Sequence, residues 1–490
     1  MSKPQHPIPE SPQAEQGEAP GEVETELTLL VGRLRLWEWL LILAVLLIAA
    51  ALRIVRWLEV PPGVIHDEVR NWLNVQIIYA GDIRPLYPHG GGREALYLLI
   101  QAASYRLLGV NLLAARFPSM AFSMVGVAAV FSLARRLFGR GAGAVAAAGL
   151  ATSFWALMFA RLAVRTGSMP VMGLLTAYVY LRFLQRVEYR RGRPLRSGLV
   201  GAVPAGALLG LTLYTYPSAL AFPLILLAWF GYLALARRDW TRGKWPHLIL
   251  SLLIAGAMAL PLALAWRDPA MTARADAINA PLEALLAGDP APTLANIGPV
   301  LGVFTVKGDH GLEFNVQDQP IFPTIPMAIF FYVGLAWAVG GLFRQDDPRR
   351  PGYGLALLWL AGMLLPTLVT ERPVNPSRTI GLLGIVYVFP AVALAAAQEG
   401  ARRANRGAIG ALAGMVVALG LFIQLDHTAR HYFDIWATNP VVTFLYQDSY
   451  RAIARDMDGM EDPPPIALGG LTPEEMDPAS MRLLMRNDDR

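Results

Sequence analysis

Long apolar runs recur along this chain, and they restrict its fold more than any other feature of the sequence. About eleven runs approach the roughly 20 residues that a helix needs to cross a bilayer. They lie near residues 37–53, 116–135, 142–161, 169–185, 198–215, 218–236, 247–266, 323–343, 353–370, 379–397 and 407–425. Because 54% of the residues are hydrophobic and only 16% are charged, a soluble globular protein is excluded. The sequence therefore predicts an all-α polytopic membrane protein with about eleven transmembrane helices.

Basic residues are concentrated in five of the connections between these runs. The connections around residues 135–140, 182–196, 237–244, 344–350 and 402–406 carry 19 Lys and Arg. They all fall on one side if residues 95–108, a shorter run that contains Gln101, Ser104 and Arg106, form an interfacial helix and do not span. Because short basic loops stay in the cytoplasm, we expect a cytoplasmic N-terminus and a C-terminus outside.

Three regions follow from this topology. Residues 1–34 are rich in Pro, Glu and Gln and are predicted to be a disordered cytoplasmic tail. Residues 35–425 form the transmembrane domain, with a first outer loop at 58–114 and a long outer loop at 267–322. Residues 426–490 are an extracytoplasmic segment of a small domain, with an amphipathic helix near 442–457 and an apolar run at 465–471. The chain has no cysteine, which excludes disulfides, thiol nucleophiles and Cys-ligated metals.

The densest cluster of reactive side chains lies at residues 64–94, directly after the first run. Pro61 and Pro62 prevent the first helix from continuing, and a new helix is predicted to begin near His66. Asp67 and Glu68 then lie in its first turn, where carboxylates suit the positive end of the helix. This placement fits an acidic site at the membrane surface, and it fits equally an ordinary helix cap.

The same helix is predicted to be amphipathic. Asp67, Asn71 and Asn74 recur at helical spacing on one face. The neighbouring apolar stripe consists of Val69, Trp72, Leu73, Ile77 and Ala80. We therefore expect the helix to lie in the membrane interface with its carboxylates turned toward water.

The order of several segments carries a resemblance to a known family. An acidic pair after the first run is followed by GREALYLLIQAASYRLLGVNLLAARFPSM, LARRLFGRGAGAVAAAGLATS and ARLAVRTGSMPVMGLLTAYVYLRFL. Later come KGDHGLEFN and PVNPSRTIGLLGIVYVFPAVAL. The chain resembles the GT-C superfamily of polyprenyl-phosphate-sugar-dependent glycosyltransferases, which includes protein O-mannosyltransferases and lipid A aminoarabinose transferases. The resemblance implies a GT-C-like catalytic domain at 35–425.

The resemblance assigns the catalytic acidic pair to Asp67 and Glu68, with Asp67 as the essential carboxylate. The family usually has a second acidic residue in the next outer loop, after two arginines. Here Arg161 and Arg165 are followed by Thr166, Gly167 and Ser168, so that acid is absent. Glu68, or Asp309 in the long outer loop, would have to supply it.

The donor that the resemblance implies is a sugar joined through phosphate to a polyprenyl chain. Asp67 would take the proton from an acceptor hydroxyl, and the outward cations Arg93, Arg165, Lys307 and Arg378 are the candidates for holding the phosphate. Further candidates for substrate contact are His66, Asn71, His89, Tyr97, Arg161, Tyr214, Tyr216, Asp309, His310 and Asn315. The sequence assigns no certain cofactor, and Asp67, Glu68 and His310 leave a divalent metal ion open. Arginines that snorkel at helix ends, a flexible glycine turn after His89 and ordinary interfacial aromatics are the structural alternatives.

The predicted function is therefore that of a multi-pass enzyme of the cell's inner or plasma membrane with an outward-facing site. Its partners would be a lipid-linked sugar donor and a protein, lipid or glycan acceptor, and no nucleic acid. A transporter is one alternative, although acidic residues are nearly absent from the apolar runs where ion-coupled carriers place them. A polysaccharide polymerase or ligase with a pyrophosphate-linked donor is the other.

Overall fold

The computed structural model describes residues 34–186, 189–190, 193–194, 196–460 and 476–485. The predicted tail, apart from residue 34, and the apolar run at 465–471 lie outside this part of the chain. The helices are α1 (Leu36–Ile54), α2 (His66–Tyr79), α3 (Ala95–Leu108), α4 (Leu112–Phe138), α5 (Arg140–Ala151), α6 (Phe154–Ala160), α7 (Ser168–Arg186), α8 (Arg196–Leu213), α9 (Ala221–Ala236), α10 (Arg238–Thr241), α11 (Trp245–Ala265), α12 (Pro269–Asp276), α13 (Ala280–Leu286), α14 (Ala291–Gly302), α15 (Ile325–Gly341), α16 (Arg350–Leu368), α17 (Val388–Arg403), α18 (Gly407–Arg430), α19 (Pro440–Leu445), α20 (Asp448–Asp458) and α21 (Met476–Leu484). Two antiparallel strand pairs complete the described elements: β1 (Leu86–Tyr87) with β2 (Arg93–Glu94), and β3 (Tyr189–Arg190) with β4 (Arg193–Pro194).

The predicted all-α architecture is confirmed, and ten of the eleven apolar runs coincide with a helix or a pair of helices, whereas in the run 379–397 only residues 388–397 are α-helical. Within the described residues, six helices are long and apolar enough to cross a membrane: α1, α4, α9 with the short turn before it, α11, α16, and α18 with the turn after it. Counting α5 and α6, which meet at a bend of 61°, as one broken span gives seven. The number eleven stays a prediction, because α8 and α15 are shorter apolar helices and α7 and α17 are not among the candidate spans of the described residues.

The break between α5 and α6 helps to position the site. Ser153 begins α6 by accepting a hydrogen bond from the amide of Ala156. The chain then leaves α6 at Arg161 and enters a short 3₁₀ turn, Arg165–Gly167, before α7. This turn places Arg165 beside the first outer loop, where it pairs with Glu94.

Helix α2 begins at His66, as predicted, but its apolar stripe does not lie on the membrane. Val69 and Trp72 are buried in a small core that also contains Tyr105 of α3 and Leu483 of α21, and the Trp72 and Tyr105 rings lie 5.0 Å apart. The expectation of a membrane-facing stripe is therefore wrong for Val69 and Trp72, since α3 and the C-terminal helix cover them, whereas Ala80 at the end of the stripe is exposed.

The C-terminal segment packs back onto the outer loops. Helix α18 continues past residue 425 to Arg430 and into a π-helical turn, His431–Trp436. The predicted helix at 442–457 is divided into α19 and α20 at Gln447, which has a left-handed backbone (φ 53°). The hydroxyl of Tyr446 donates to the carbonyl of Glu313 (2.7 Å), which ties this segment to the long outer loop.

Candidate active site

Two adjoining cavities lie among the outer loops. The larger has a volume of about 420 Å³ and is mainly apolar, and its lining comes from Gly91, Gly92, Glu94, Arg165, Tyr216, Pro217, Ser218, Leu220, Trp266, Met271, Thr272, Ile278, Asn279, Leu282, Pro366, Val369, Thr370 and Arg378. The smaller, of about 200 Å³, is lined by Asp67, Arg70, Tyr216, Ile278, Glu313, Phe314, Arg372, Asn375, Ser377 and Arg378. We call the first the apolar cavity and the second the polar chamber. They share Tyr216, Ile278 and Arg378 as lining residues.

Asp67 lines the polar chamber from the first turn of α2, with its side chain 18% exposed. Its carboxylate accepts a hydrogen bond from Arg93 Nη2 at 2.5 Å, and Arg70 lies 3.9 Å away. Arg93 also donates to the Oδ1 of Asn71 (2.6 Å) and to the main-chain oxygen of Asp67 (3.1 Å). Two guanidinium groups therefore lie beside the carboxylate, and the short bond from Arg93 holds it in one orientation.

Glu68, the next residue, points into the protein interior. Its carboxylate accepts from Arg116 Nε (2.8 Å) and Nη2 (2.9 Å), and both side chains are fully buried. It also accepts from the main-chain amides of Ala163 (2.7 Å) and Ile65 (3.2 Å), and the latter bond caps the start of α2. Glu68 lines neither cavity, so the geometry separates the two residues that the sequence pairs as catalytic.

Arg165 reaches the apolar cavity as a member of a buried ion pair. Its Nε donates to Glu94 Oε2 at 2.6 Å, and its guanidinium lies 5.3 Å from the centre of the Tyr216 ring. Glu94 lines the same cavity, so part of the charge of Arg165 is already balanced. Arg378 lines both cavities and donates to the main-chain oxygen of Arg372 (3.3 Å).

Four of the residues predicted from the sequence thus line the two cavities: Asp67, Arg165, Tyr216 and Arg378. Arg93 bonds both Asp67 and Asn71, and neither Arg93 nor Asn71 is among the lining residues. Arg93 is almost fully buried and bonds both Asp67 and Asn71. Its role is therefore to orient the carboxylate of Asp67.

Tyr97 and Arg161 lie elsewhere, and their assignment to substrate contact does not fit the geometry. The hydroxyl of Tyr97 is buried 2.7 Å from that of Ser119. Arg161 donates to the main-chain oxygens of Leu52 (2.8 Å), Arg56 (2.9 Å) and Val60 (2.7 Å), so it ties down the end of the first span. Both side chains serve interior packing, and neither reaches a cavity.

Three further candidates lie beside the cavities without lining them. The Nε2 of His66 lies 3.2 Å from Nε2 of Gln447 in the C-terminal segment, and the hydroxyl of Tyr214 donates to Met258 O (2.7 Å). The main-chain amide and oxygen of His89 both bond the side chain of Asn74, at 3.0 and 2.9 Å.

These two bonds from Asn74 anchor the glycine turn that follows His89. Gly90, Gly91 and Gly92 have φ values of +92°, +71° and +87°, which L side chains rarely adopt. A Cβ on Gly92 would also collide with the main-chain oxygen of Met271. The turn is therefore a close-packed wall of the apolar cavity.

The KGDHGLEFN motif divides between surface and interior. Lys307 and His310 are 65% and 73% exposed and lie 3.5 and 3.1 Å from Asp318, and neither lines a described cavity. Asp309 lies behind the polar chamber, where its Oδ2 accepts from Asn375 Nδ2 at 3.4 Å. Burial raises the pKa of Asp309, opposed by the amide of Gly311 and two arginines of the chamber.

Asn315 supports this loop rather than the cavities. Its Nδ2 donates to the main-chain oxygens of Gln319 (2.8 Å) and Asp309 (3.3 Å). Together with Asp309 it borders a small void of about 30 Å³.

The metal site that the sequence left open does not form. Among the described residues, no group of three or more His, Asp or Glu could hold a metal ion. Glu68 turns into the interior toward Arg116, and His310 lies on the surface beside Asp318. Asp67, Glu68 and His310 therefore do not fit a shared metal.

Sequence reasoning missed five polar residues of the polar chamber: Arg70, Glu313, Arg372, Asn375 and Ser377. Arg70 follows Asp67 by three positions, which places both on the same side of α2. The last three lie in the turn ERPVNPSR between α16 and α17, whose polar residues between two apolar runs were an available signal. Glu313 had a weaker signal, since it is one of several polar residues in its loop.

Comparison with known proteins supports the resemblance. Residues 95–266 match the family model of dolichyl-phosphate-mannose-protein mannosyltransferases. No curated protein matches the chain significantly in sequence.

Solved structures resemble the chain more extensively. The oligosaccharyltransferase of Archaeoglobus fulgidus in its apo form is 15% identical with a TM-score of 0.58, over 91% of this chain and 64% of that one. The oligosaccharyltransferase AglB from Archaeoglobus fulgidus, in complex with an inhibitory peptide and a dolichol-phosphate, is 15% identical with a TM-score of 0.52, over 91% of this chain and 60% of that one. ArnT from Cupriavidus metallidurans, bound to undecaprenyl phosphate, is 15% identical with a TM-score of 0.50, over 92% of this chain and 84% of that one.

The chain thus spans less than two thirds of the archaeal structures that it matches and most of ArnT. All of these are GT-C glycosyltransferases, as is the family whose model matches. The chain therefore has the GT-C fold, and the resemblance to GT-C glycosyltransferases that its sequence predicts is confirmed.

Proposed function

We propose that this protein is a membrane glycosyltransferase that moves a sugar from a polyprenyl phosphate to an acceptor hydroxyl on the outer face of the membrane. One observation carries the proposal: the carboxylate of Asp67 lines a polar chamber that adjoins an apolar cavity, with Tyr216 and Arg378 common to both. The apolar cavity suits an isoprenoid chain, and the chamber suits a sugar and the attacking hydroxyl.

The reaction needs little besides position and charge. The acceptor oxygen attacks the anomeric carbon, the bond from that carbon to the phosphate oxygen breaks, and the hydroxyl proton passes to Asp67. Negative charge develops on the departing phosphate, where Arg378 would stabilise it. Arg165 would assist, although it shares its charge with Glu94. A single displacement of this kind inverts the anomeric configuration.

Two structural relatives support the donor class, since one was solved with dolichol-phosphate and the other with undecaprenyl phosphate. The proposed outer face follows from the predicted topology, in which the basic connections are cytoplasmic. The acceptor is proposed to be a protein, lipid or glycan hydroxyl, and the membrane is that of the cell, inner or plasma.

The test is transfer of radiolabelled sugar by purified protein in lipid, from a panel of polyprenyl-phosphate sugars to extracted acceptors. We expect Asp67→Asn to lose about 10²–10⁴-fold in rate, the usual contribution of a general base, while it still binds the donor. Asp82→Asn is the matched control, because Asp82 lies in the same outer loop, pairs with Arg84 and lines neither cavity.

Three outcomes would contradict the proposal in different ways. Equal rates in Asp67→Asn and wild type would remove Asp67 from the mechanism. Transfer only from pyrophosphate-linked oligosaccharides would indicate a polymerase or ligase. Solute flux without transfer from any donor would indicate a transporter.

A further inference from the structure

The long outer loop contains a segment that is apolar and exposed at once. Residues 291–306, which comprise α14 and the turn after it, include no charged residue. In α14, Leu294 is 58% exposed, Ile297 39% and Leu301 56%, and Val306 beyond it is 77% exposed. So much contiguous apolar surface on a loop indicates a covering partner.

The start of the segment is fixed at the end of a span. Asn296 Nδ2 donates to the main-chain oxygens of Leu368 (2.8 Å) and Thr370 (3.1 Å), where α16 ends. Carbonyls at a helix end have no partner within the helix, so this side chain satisfies them. Thr370 also lines the apolar cavity, so α14 lies beside its wall.

The end of the segment lies beside α15, below the beginning of that helix. The Phe304 and Phe331 rings stack with centres 4.9 Å apart, and the hydroxyls of Thr305 and Tyr332 are 2.8 Å apart. Phe331 and Tyr332 follow the first residue of α15, Ile325, by six and seven positions, which is about 10 Å of helix at 1.5 Å per residue. The end of the segment therefore lies against the side of α15, about 10 Å along that helix from its first residue.

The apolar surface of α15 continues that of the segment. Ile325, Ile329 and Val333 are exposed and recur at intervals of four, which places them in one stripe. Tyr332, which contacts Thr305, is itself 45% exposed beside this stripe. The two exposed apolar surfaces are thus contiguous, and whatever covers the α15 stripe also reaches the segment.

We propose that residues 291–306 are immersed in the hydrocarbon of the membrane leaflet on the Asp67 side, with lipid acyl chains covering Leu294, Ile297 and Leu301. The long outer loop is then a re-entrant interfacial segment at this point and not an aqueous loop. Since α14 lies beside the wall of the apolar cavity, the membrane lipid adjoins that cavity here. The proposal does not depend on the transferase activity.

The absence of cysteine from the chain makes the test direct. Single cysteines at Leu294 and Leu301 are labelled with a nitroxide in protein reconstituted into phosphatidylcholine vesicles. Paramagnetic resonance then gives the collision rates of each label with oxygen, which concentrates in hydrocarbon, and with a water-soluble nickel chelate. Leu419, 57% exposed on the spanning helix α18, is the submerged control, and exposed Asp289, before α14, is the aqueous control.

We expect the Leu294 and Leu301 labels to give a ratio of oxygen to nickel collisions near that of the Leu419 label and well above that of the Asp289 label. A ratio near that of Asp289 would overturn the proposal. Low collision rates with both reagents, accompanied by spin–spin broadening, would also overturn it, because a second copy of the chain would then cover this face. All four sites are exposed, so the substitutions themselves cost little stability.

Discussion

Removal of Arg116 is expected to destabilise the protein more than removal of any exposed cation. In Arg116→Met, the carboxylate of Glu68 keeps only its bonds to the main-chain amides of Ile65 and Ala163. It loses two charged hydrogen bonds, of 2.8 and 2.9 Å, while it stays fully buried. Breaking a buried ion pair in this way costs about 3–5 kcal/mol, because the remaining charge has no compensating partner.

The double variant tests whether that cost comes from the unpaired charge. Ala163 and Ile65 donate to different oxygens of Glu68, so Glu68→Gln keeps an acceptor for only one of these amides and turns N–H donors toward the other amide and Arg116. We expect a loss of about 1.5–3 kcal/mol. In Glu68→Gln with Arg116→Met neither charge is left buried. The loss should then be smaller than the sum of the two single losses by about 0.5–3 kcal/mol.

The measurement is the free energy of unfolding of purified protein in mixed micelles, by denaturant titration. Arg56→Met is the matched control, because Arg56 and Glu59 form an exposed ion pair of 3.0 Å, whose loss should cost less than about 1 kcal/mol. A loss in Arg116→Met no larger than in this control, or exact additivity in the double variant, would refute the reasoning.

Three further predictions concern the cavities. Arg378→Gln should weaken binding of polyprenyl phosphate about 10–100-fold, because one charged hydrogen bond contributes about 1.5–3 kcal/mol. The binding is measured by quenching of intrinsic tryptophan fluorescence. Lys307→Gln should leave it unchanged, because Lys307 lines neither cavity. Burial holds the pKa of Asp309 above its usual 3.8, so the folded chain keeps this proton to higher pH than the unfolded chain. Asp309→Asn should therefore raise thermal stability at neutral pH, by an amount that vanishes below about pH 3.8. Gly92→Ala should abolish donor binding and lower the thermal midpoint, because its Cβ would meet the main-chain oxygen of Met271 on a strained backbone.

Each of these has an outcome that would contradict it. Equal loss of affinity in Arg378→Gln and Lys307→Gln would indicate a general effect of charge and not a contact with phosphate. A stability gain in Asp309→Asn that grows as the pH falls would reverse the sign required by a raised pKa. Unchanged donor binding in Gly92→Ala would show that the glycine turn is not a wall of the binding cavity.

The sequence predicts best what the bilayer dictates locally. Ten of the eleven apolar runs coincide with helix, because the backbone in hydrocarbon must satisfy its own hydrogen bonds. The start of α2 at His66 is equally local, since Pro61 and Pro62 end the preceding helix. Asp67 could therefore be placed at the mouth of a site before any contact was known.

What the sequence could not predict depends on contacts between distant segments. The apolar stripe of α2 reads as a membrane-facing surface until Leu483, some 400 positions later, is found against it. The polar chamber brings together Asp67, Glu313 and Arg372 from three loops, and no periodicity within one loop reveals that assembly. Arg161 has the charge of a phosphate ligand, yet buried carbonyls at the end of the first span take its hydrogen bonds.

The acidic pair shows how two adjacent residues of one type acquire separate roles. Successive side chains on a helix point about 100° apart, because there are 3.6 residues per turn. At this helix start one direction leads into the chamber and the other into the interior. Glu68 therefore joins α2 to α4 through Arg116, and Asp67 presents its carboxylate to the chamber beside Arg93. It follows that Glu68→Gln should lower the amount of folded protein more than its specific activity, whereas Asp67→Asn should do the reverse.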